Sequence, residues 1–316
     1  VPRVVVIAPL PGRVREILAP HDVFMPAPGA PHLTGEPLLA ALADAEGLLP
    51  LLSVRIDEAL LARAPRLRVV GNFAVGFDNV DLAACARRGV VVTNTPVLTE
   101  STADLTMALV LGAARRLREG LALASSGAWR GWEPEQLLGL ELDGARLGVV
   151  GMGRIGRAVA RRAAAFGVEI VWAGPRAQPD APGARLPLEE LLATSDVVVI
   201  TCRLDATTRH LIGARELGAM KRGAILVNTA RGPIVDEAAL VEALERGPAA
   251  GLGAVGLDVF EEEPRIPERL RAHPRALVLP HLGSATTAAR VRMAETAAQS
   301  IADVLAGRRP RFIVNA

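Results

Sequence analysis

Short apolar runs rich in β-branched residues alternate with amphipathic segments along almost the whole chain, and this alternation limits the possible folds most. RVVVIA (3–8), VFMPA (23–27), GLLPLL (47–52), RLRVVGNFA (66–74) and GVVVTNTP (89–96) come first, with the helical patterns PLLAALADA, IDEALLARA and VDLAACARRG between several of them. From Arg146 a second series begins: RLGVVG, VEIVWAG, SDVVVITC, GAILVNTA, AVGLDV and ALVLPH. A strand that is apolar at every position is covered on both faces, and helices between such strands make the sheet parallel. The chain therefore reads as α/β. At 316 residues it is too long for one ordinary domain and suits two. A long helical pattern (102–125), capped by Thr99 or Thr102, separates the series, followed by an irregular stretch (126–144) holding Trp129 and Trp132. One further helix is expected over 285–307.

Scarcities exclude several chemistries. There is no tyrosine, so a Tyr–Lys hydride-transfer pair and a tyrosine nucleophile are ruled out. Lys221 is the sole lysine and has no phosphate-loop glycines before it, which argues against a lysine phosphate loop or Schiff base. Cys85 and Cys202 form no CxxC, and the five histidines form no HxH or HxxxH, so no metal site is expected. The cysteine usage suits a reducing cytoplasm. The net charge is +2 with no polybasic run, which gives no reason to expect nucleic acid or an anionic membrane. VVVIAPLPG is too short, and too broken by proline, for a signal peptide core. Leu105 to Ala114 is half a membrane span.

Gly151-Met-Gly153-Arg154-Ile155-Gly156 has the GxGxxG spacing, with an apolar strand before it and an amphipathic helix after it. That is the context in which glycines make a tight turn, admit a pyrophosphate to the backbone and let helix and strand pack closely. The helix N-terminus then offers N–H groups to the phosphates. The next strand ends VWAGPRAQ, without the acid that binds the ribose 2′-hydroxyl of NAD and with Arg176 in its place. NADP(H) is therefore preferred, with NAD(H) as the alternative. Asp180 lies too far along the loop to replace the acid.

Three polar residues follow later strands: Arg231 after VNTA, Glu263 after GLDVFEE and His281 after VLP. Ligands bind at the carboxyl ends of parallel strands. Arg231 suits a substrate carboxylate, His281 suits a proton donor that titrates near neutrality, and Glu263 suits a partner for the imidazolium. Spacing alone does not bring them together. Each also has a bland reading: a surface arginine, a solvated glutamate in a run of three, and a loop histidine.

GMGRIG, NTARGPIVDEAALVEAL, GLDVFEEEP and PHLGSAT, in that order, together with AVGFDNVDL and VTNTP, resemble the D-isomer-specific 2-hydroxyacid dehydrogenase family. WRGWEPEQLLGLELDGARLGVVGMGRIG most resembles its glyoxylate/hydroxypyruvate reductase branch. The resemblance implies two Rossmann-like domains with parallel sheets. One is a flavodoxin-like substrate domain (1–98 and 283–316), and the other is an inserted dinucleotide-binding domain (99–282), with the active site in a cleft between them. It implies that Arg231 binds the substrate, that His281 is the acid/base and that Glu263 pairs with His281. It places the Val75 and Gly76 backbone on the substrate carboxylate, and Leu52 and Trp132 beside the substrate. Trp129 competes with Trp132 for that role. On the cofactor it places the GMGRIG turn, Gly174, Arg176, Cys202 and Thr208. Thr102, Thr229, Asp258 and Gly283 would line the nicotinamide side.

The family often carries proline where this chain has Cys202-Arg203. That change brings Arg203 toward the adenine end as an added positive charge. The resemblance further implies a homodimer, with residues 120–144 reaching across as an arm that brings Trp132 to the partner's active site. The expected reaction is reduction of a small 2-oxo acid to a D-2-hydroxy acid, glyoxylate to glycolate and hydroxypyruvate to D-glycerate first. D-3-phosphoglycerate, D-lactate, formate or phosphonate chemistry, or an NAD(H)-sensing corepressor-like binding protein, are the alternatives.

Overall fold

The computed structural model describes residues 1–315. Its contacts divide the chain into two compact units, Val1–Leu98 with Ser284–Ala316, and Thr99–Gly283.

The first unit holds five strands: β1 (Arg3–Val6), β2 (Asp22–Phe24), β3 (Gly47–Leu49), β4 (Val69–Gly71) and β5 (Val91–Thr93). All pair in parallel, in the order β2-β1-β3-β4-β5. This is the flavodoxin-like order. Val4, Val5, Val6, Leu48, Leu49, Val69 and Val70 are fully buried because both faces of the sheet are covered. One face meets Leu38, Leu42, Leu60, Leu61 and Cys85. The other takes the helix Thr287–Leu305, which approaches so closely that a Cβ on Gly71 would stand 2.9 Å from the Ala297 carbonyl oxygen. Each fully buried aliphatic side chain contributes roughly 1.5–3 kcal/mol, so covering both faces outweighs short strand length. The strands are shorter than the apolar runs. GLLPLL leaves the ladder at Pro50 and VFMPA ends before Pro26, because proline has no N–H to donate.

The second unit holds β6 (Arg146–Val150), β7 (Glu169–Ala173), β8 (Ala184–Arg185), β9 (Val197–Ile200), β10 (Ile225–Asn228), β11 (Ala254–Leu257) and β12 (Ala276–Val278). The order is β12-β11-β10-β9-β6-β7-β8, again all parallel. The chain reverses its direction of build between β6 and β9, the point where a doubly wound sheet opens a crevice for ligands. The two-residue β8 has no counterpart among the apolar runs.

The helix expected over 102–125 is two helices, Thr99–Ala114 and Leu117–Ser125. Arg116 between them is left-handed, at φ 51°. Leu140 N–H donates to the Ala114 carbonyl at 2.8 Å, taking an acceptor that a continuous helix would use. The Arg116 guanidinium turns instead to Glu119, at 2.8 and 2.6 Å. Neither Thr99 nor Thr102 stands before the first helix as its cap, because the helix already begins at Thr99, and the Thr102 hydroxyl inside it donates to Gly283 O.

Candidate active site

Among the described residues, the carboxyl ends of β6, β9, β10 and β11 carry most of the polar groups that the sequence singled out. After β6, Gly151 adopts φ +102°, which suits glycine. A Cβ there would lie 2.5 Å from Cys202 N, so the β9 and β6 loops touch at this glycine. Gly153 caps the helix Arg154–Ala163, and a Cβ on it would meet nothing within 4 Å. Gly156 sits against β6, where a Cβ would be 2.4 Å from Gly151 O. A tight turn, an open approach and close helix packing together fit a dinucleotide pyrophosphate at a helix N-terminus.

β7 runs into Gly174 and the exposed Arg176, with no acid at its end. Arg157 braces this loop through Gln178 Oε1 at 2.8 Å and Asp180 O at 2.7 Å. After β9, burial pushes the Cys202 thiol up to about 11. Arg203 Nη2 stands 3.3 Å from Asp205 Oδ2. Thr208 Oγ1 donates to Arg203 O at 2.7 Å and accepts from Asp205 N at 2.8 Å, closing the turn.

Arg231 leaves β10 through a fixed loop. The Asn228 amide donates to Arg231 O at 2.9 Å and accepts from Ala230 N at 3.0 Å. The next residue, Gly232, is pressed on the following strand's loop. A Cβ there would fall 1.9 Å from the Phe260 carbonyl carbon. The Arg231 loop and the Phe260–Glu263 loop are thus held backbone to backbone. Phe260 N–H donates to Glu263 Oε1 at 3.1 Å, and His281 Nδ1 meets Glu263 Oε2 at 2.7 Å. Burial pushes the Glu263 carboxyl up, but the His281 hydrogen bond and charge, the Phe260 N–H and the Arg231 charge outweigh it. Glu263 is held below the usual carboxylate range.

His281 is left-handed, at φ 55°, an uncommon backbone for a non-glycine residue. Asp258 supports it. The Asp258 carbonyl accepts from His281 N at 2.9 Å, and its carboxylate accepts from Leu282 N at 2.6 Å and Gly283 N at 2.8 Å. Asp258 is buried, and desolvation raises its carboxyl above the ordinary range despite these donors. Thr102 Oγ1 donates to Gly283 O at 3.1 Å. Thr106 Oγ1 donates to Thr102 O at 2.7 Å and lies 2.8 Å from Thr229 Oγ1. Glu263 and His281 therefore meet, Arg231 adds its charge to them, and Thr102, Thr229, Asp258 and Gly283 form one network. Asn228 and Thr106 complete it and were missed. Their polarity inside apolar segments was the available signal.

In the first unit, Val75 and Gly76 follow β4, and Leu52 lies in the turn after the neighbouring β3. Trp129 and Trp132 are 57% and 80% exposed, on the irregular stretch after the helix Leu117–Ser125. Trp172, in β7, is buried beneath Arg185, whose guanidinium lies 5.8 Å from the ring centre. Among the described residues there is no cluster of metal-ligating side chains and no helix long and apolar enough to cross a membrane.

Residues 107–283 match the family model described as D-isomer specific 2-hydroxyacid dehydrogenase, NAD binding domain. A glyoxylate reductase of Thermococcus gammatolerans is 43% identical over 99% of this chain and 96% of its own length. A solved protein of Thermus thermophilus is 47% identical, with a TM-score of 0.92 and 99% of each chain covered. An NADPH-dependent glyoxylate/hydroxypyruvate reductase of Sinorhizobium meliloti, solved in complex with NADP and malonate, is 33% identical with a TM-score of 0.87, covering 99% of this chain and 96% of that one. With matched sequence along nearly its whole length, this chain belongs to the D-isomer-specific 2-hydroxyacid dehydrogenase family of nicotinamide-dependent oxidoreductases.

Proposed function

We propose that the chain reduces glyoxylate to glycolate, and hydroxypyruvate to D-glycerate, with NADPH preferred over NADH. The observation that carries the reading is the 2.7 Å contact of His281 Nδ1 with Glu263 beside the Arg231 loop. Because Nδ1 is engaged by the carboxylate, Nε2 is the nitrogen left for substrate. The Arg231 guanidinium and the Val75 and Gly76 N–H groups receive the substrate carboxylate, Leu52 borders the substrate, and Trp132 of the partner subunit approaches it. His281 Nε2 gives its proton to the carbonyl oxygen, leaving neutral imidazole, while ionised Glu263 fixes the ring and faces the positive form. Gly151, Gly153, Arg154, Ile155, Gly156 and Thr208 hold the dinucleotide phosphates, with Gly174 and Cys202 bordering it. Thr102, Thr229, Asp258 and Gly283 hold the nicotinamide end. When bound, the dinucleotide supplies the hydride that adds to the carbonyl carbon.

The NADPH preference rests on the exposed Arg176 at the end of β7, where an acid would repel a 2′-phosphate. Arg203 adds a second positive charge. A homodimer is supported by Leu121, Trp129, Trp132 and Leu138, large apolar side chains exposed along one stretch of chain. The substrate domain corresponds to the unit Val1–Leu98 with Ser284–Ala316 and the cofactor domain to Thr99–Gly283, one residue beyond the 282/283 boundary expected from the sequence.

The test crosses NADPH and NADH with glyoxylate, hydroxypyruvate, pyruvate and phosphohydroxypyruvate, following nicotinamide absorbance. Fast NADPH oxidation with the first two is expected. His281→Ala should lower turnover by roughly 10²–10⁴-fold, as for loss of a general acid. NADH preferred with the same acids would discard the 2′-phosphate argument alone. Dinucleotide binding without turnover of any acid, or His281→Ala at near-normal rate, would overturn the mechanism.

A further inference from the structure

Three successive carbonyls after β4 are taken up by one side of the first unit. Ala74 O accepts from Thr95 N at 2.8 Å, Val75 O from Asn94 Nδ2 at 2.7 Å, and Gly76 O from Asn72 Nδ2 at 2.9 Å. These peptides are trans, and in a trans peptide the carbonyl and the following N–H point in opposite directions. The N–H groups of Val75, Gly76 and Phe77 consequently face away from the asparagine side. Neither the Val75 nor the Gly76 N–H has an acceptor among the described residues, although both residues are only half-exposed. Successive N–H groups turned to one side make an anion-binding concavity.

The asparagines are built to hold that arrangement. Asn72 is fully buried and Asn94 is 8% exposed. Asn72 also exchanges amide hydrogen bonds with Asn79, each 3.2 Å, and Asn79 donates to Val54 O at 3.0 Å. An uncompensated cation stands close by. The Arg290 guanidinium lies 5.8 Å over the Phe73 ring and has no carboxylate partner among the described residues. Burial alone pulls it below its usual value. Backbone donors and a desolvated guanidinium share one preference, for an anion.

We propose that Asn94 and Asn72 are positioning residues that set the Val75 and Gly76 amides for the substrate carboxylate. The inference rests on the reading that those two amides bind it. The amide NH₂ groups are the essential feature. A carboxylate at the same place would face the Val75 carbonyl as a second acceptor and turn the peptide away.

The experiment is steady-state kinetics of Asn94→Asp and Asn94→Ser in the full chain, with glyoxylate as substrate. Asn94→Asp should raise KM about 10- to 100-fold, the scale of a lost hydrogen bond to a charged group. Its kcat should stay within about threefold of wild type, since the acid/base pair is untouched. Because a protonated carboxyl can again donate to Val75 O, the ratio of its KM to that of wild type should fall between about pH 8 and about pH 5. Asn94→Ser keeps a donor and should raise KM less, and it decides the matter should Asn94→Asp misfold. Unchanged KM in both variants, or KM and kcat failing together with no recovery at low pH, would overturn the positioning role. Wild type inactive on every 2-oxo acid would overturn the proposed function, and this inference with it. Active wild type with unaltered variants would overturn only the inference.

Discussion

Replacing Glu263 by glutamine isolates the charge of the His281 pair while keeping its shape. The carboxylate accepts from His281 Nδ1 on one oxygen at 2.7 Å and from Phe260 N on the other at 3.1 Å, and glutamine puts an NH₂ in place of one of these oxygens. A hydrogen bond involving a charged group stabilises by about 1.5–3 kcal/mol and a neutral one by about 1 kcal/mol. His281 and Glu263 keep 32% and 35% of their side-chain surface exposed, so the lower part of that range applies. The difference is about 0.5–1 kcal/mol, roughly a two- to fivefold loss of kcat/KM in Glu263→Gln wherever the wild-type carboxylate is ionised. The acid side follows from the sign of the Glu263 shift. A depressed carboxyl contributes its stabilisation above the ordinary carboxylate range and loses it as pH falls through the lowered value. Wild type should therefore keep turnover below the usual carboxylate range. The assay is kcat/KM for glyoxylate across pH with saturating dinucleotide. A Glu263→Gln profile that overlays that of wild type would refute the charge argument.

Gly232→Ala puts a Cβ where the Phe260 backbone already is, and overpacking of this kind costs about 1–3 kcal/mol or more. A melting temperature roughly 5–10 °C lower, with a raised glyoxylate KM, is expected by calorimetry and kinetics, and no change in either would show that the two loops are not pressed together. Arg176→Ala should raise KM for NADPH about tenfold and leave that for NADH nearly unchanged, with Arg203→Ala acting more weakly because Asp205 already shares its charge. Equal effects on both dinucleotides would remove the 2′-phosphate role.

Much of this architecture is legible in residue order. Apolar runs cut by helices define parallel strands, and Gly151, Gly153 and Gly156 mark the dinucleotide turn because no side chain could stand at two of those points. Strand limits are less legible, since proline ends the β3 run early and β8 is too short to leave a pattern. The break at Arg116 depends on Leu140 reaching Ala114 from 26 residues away, which no local propensity encodes. The family motifs select Glu263 from three consecutive glutamates, and the structure places it 2.7 Å from His281. The left-handed backbone of His281 and the amide braces at Asn72 and Asn94 are long-range arrangements. In sequence they are only polar residues at strand ends.

The absence of tyrosine gives the indoles a consequence of their own. Near-ultraviolet emission from this chain comes from three tryptophans alone, and they sit in two unlike surroundings. Trp172 is shielded in β7, on the strand that leads to Gly174 and Arg176, whereas Trp129 and Trp132 are open to water. A soluble quencher such as iodide spares Trp172 in every state and reaches the other two only where no partner subunit covers them. The spectrum accordingly divides into a quenchable, red-shifted part that reports on residues 129–132 and a protected, blue-shifted part that reports on the dinucleotide-binding sheet. The molecule thus carries two separate optical labels, with no engineered probe needed to tell them apart.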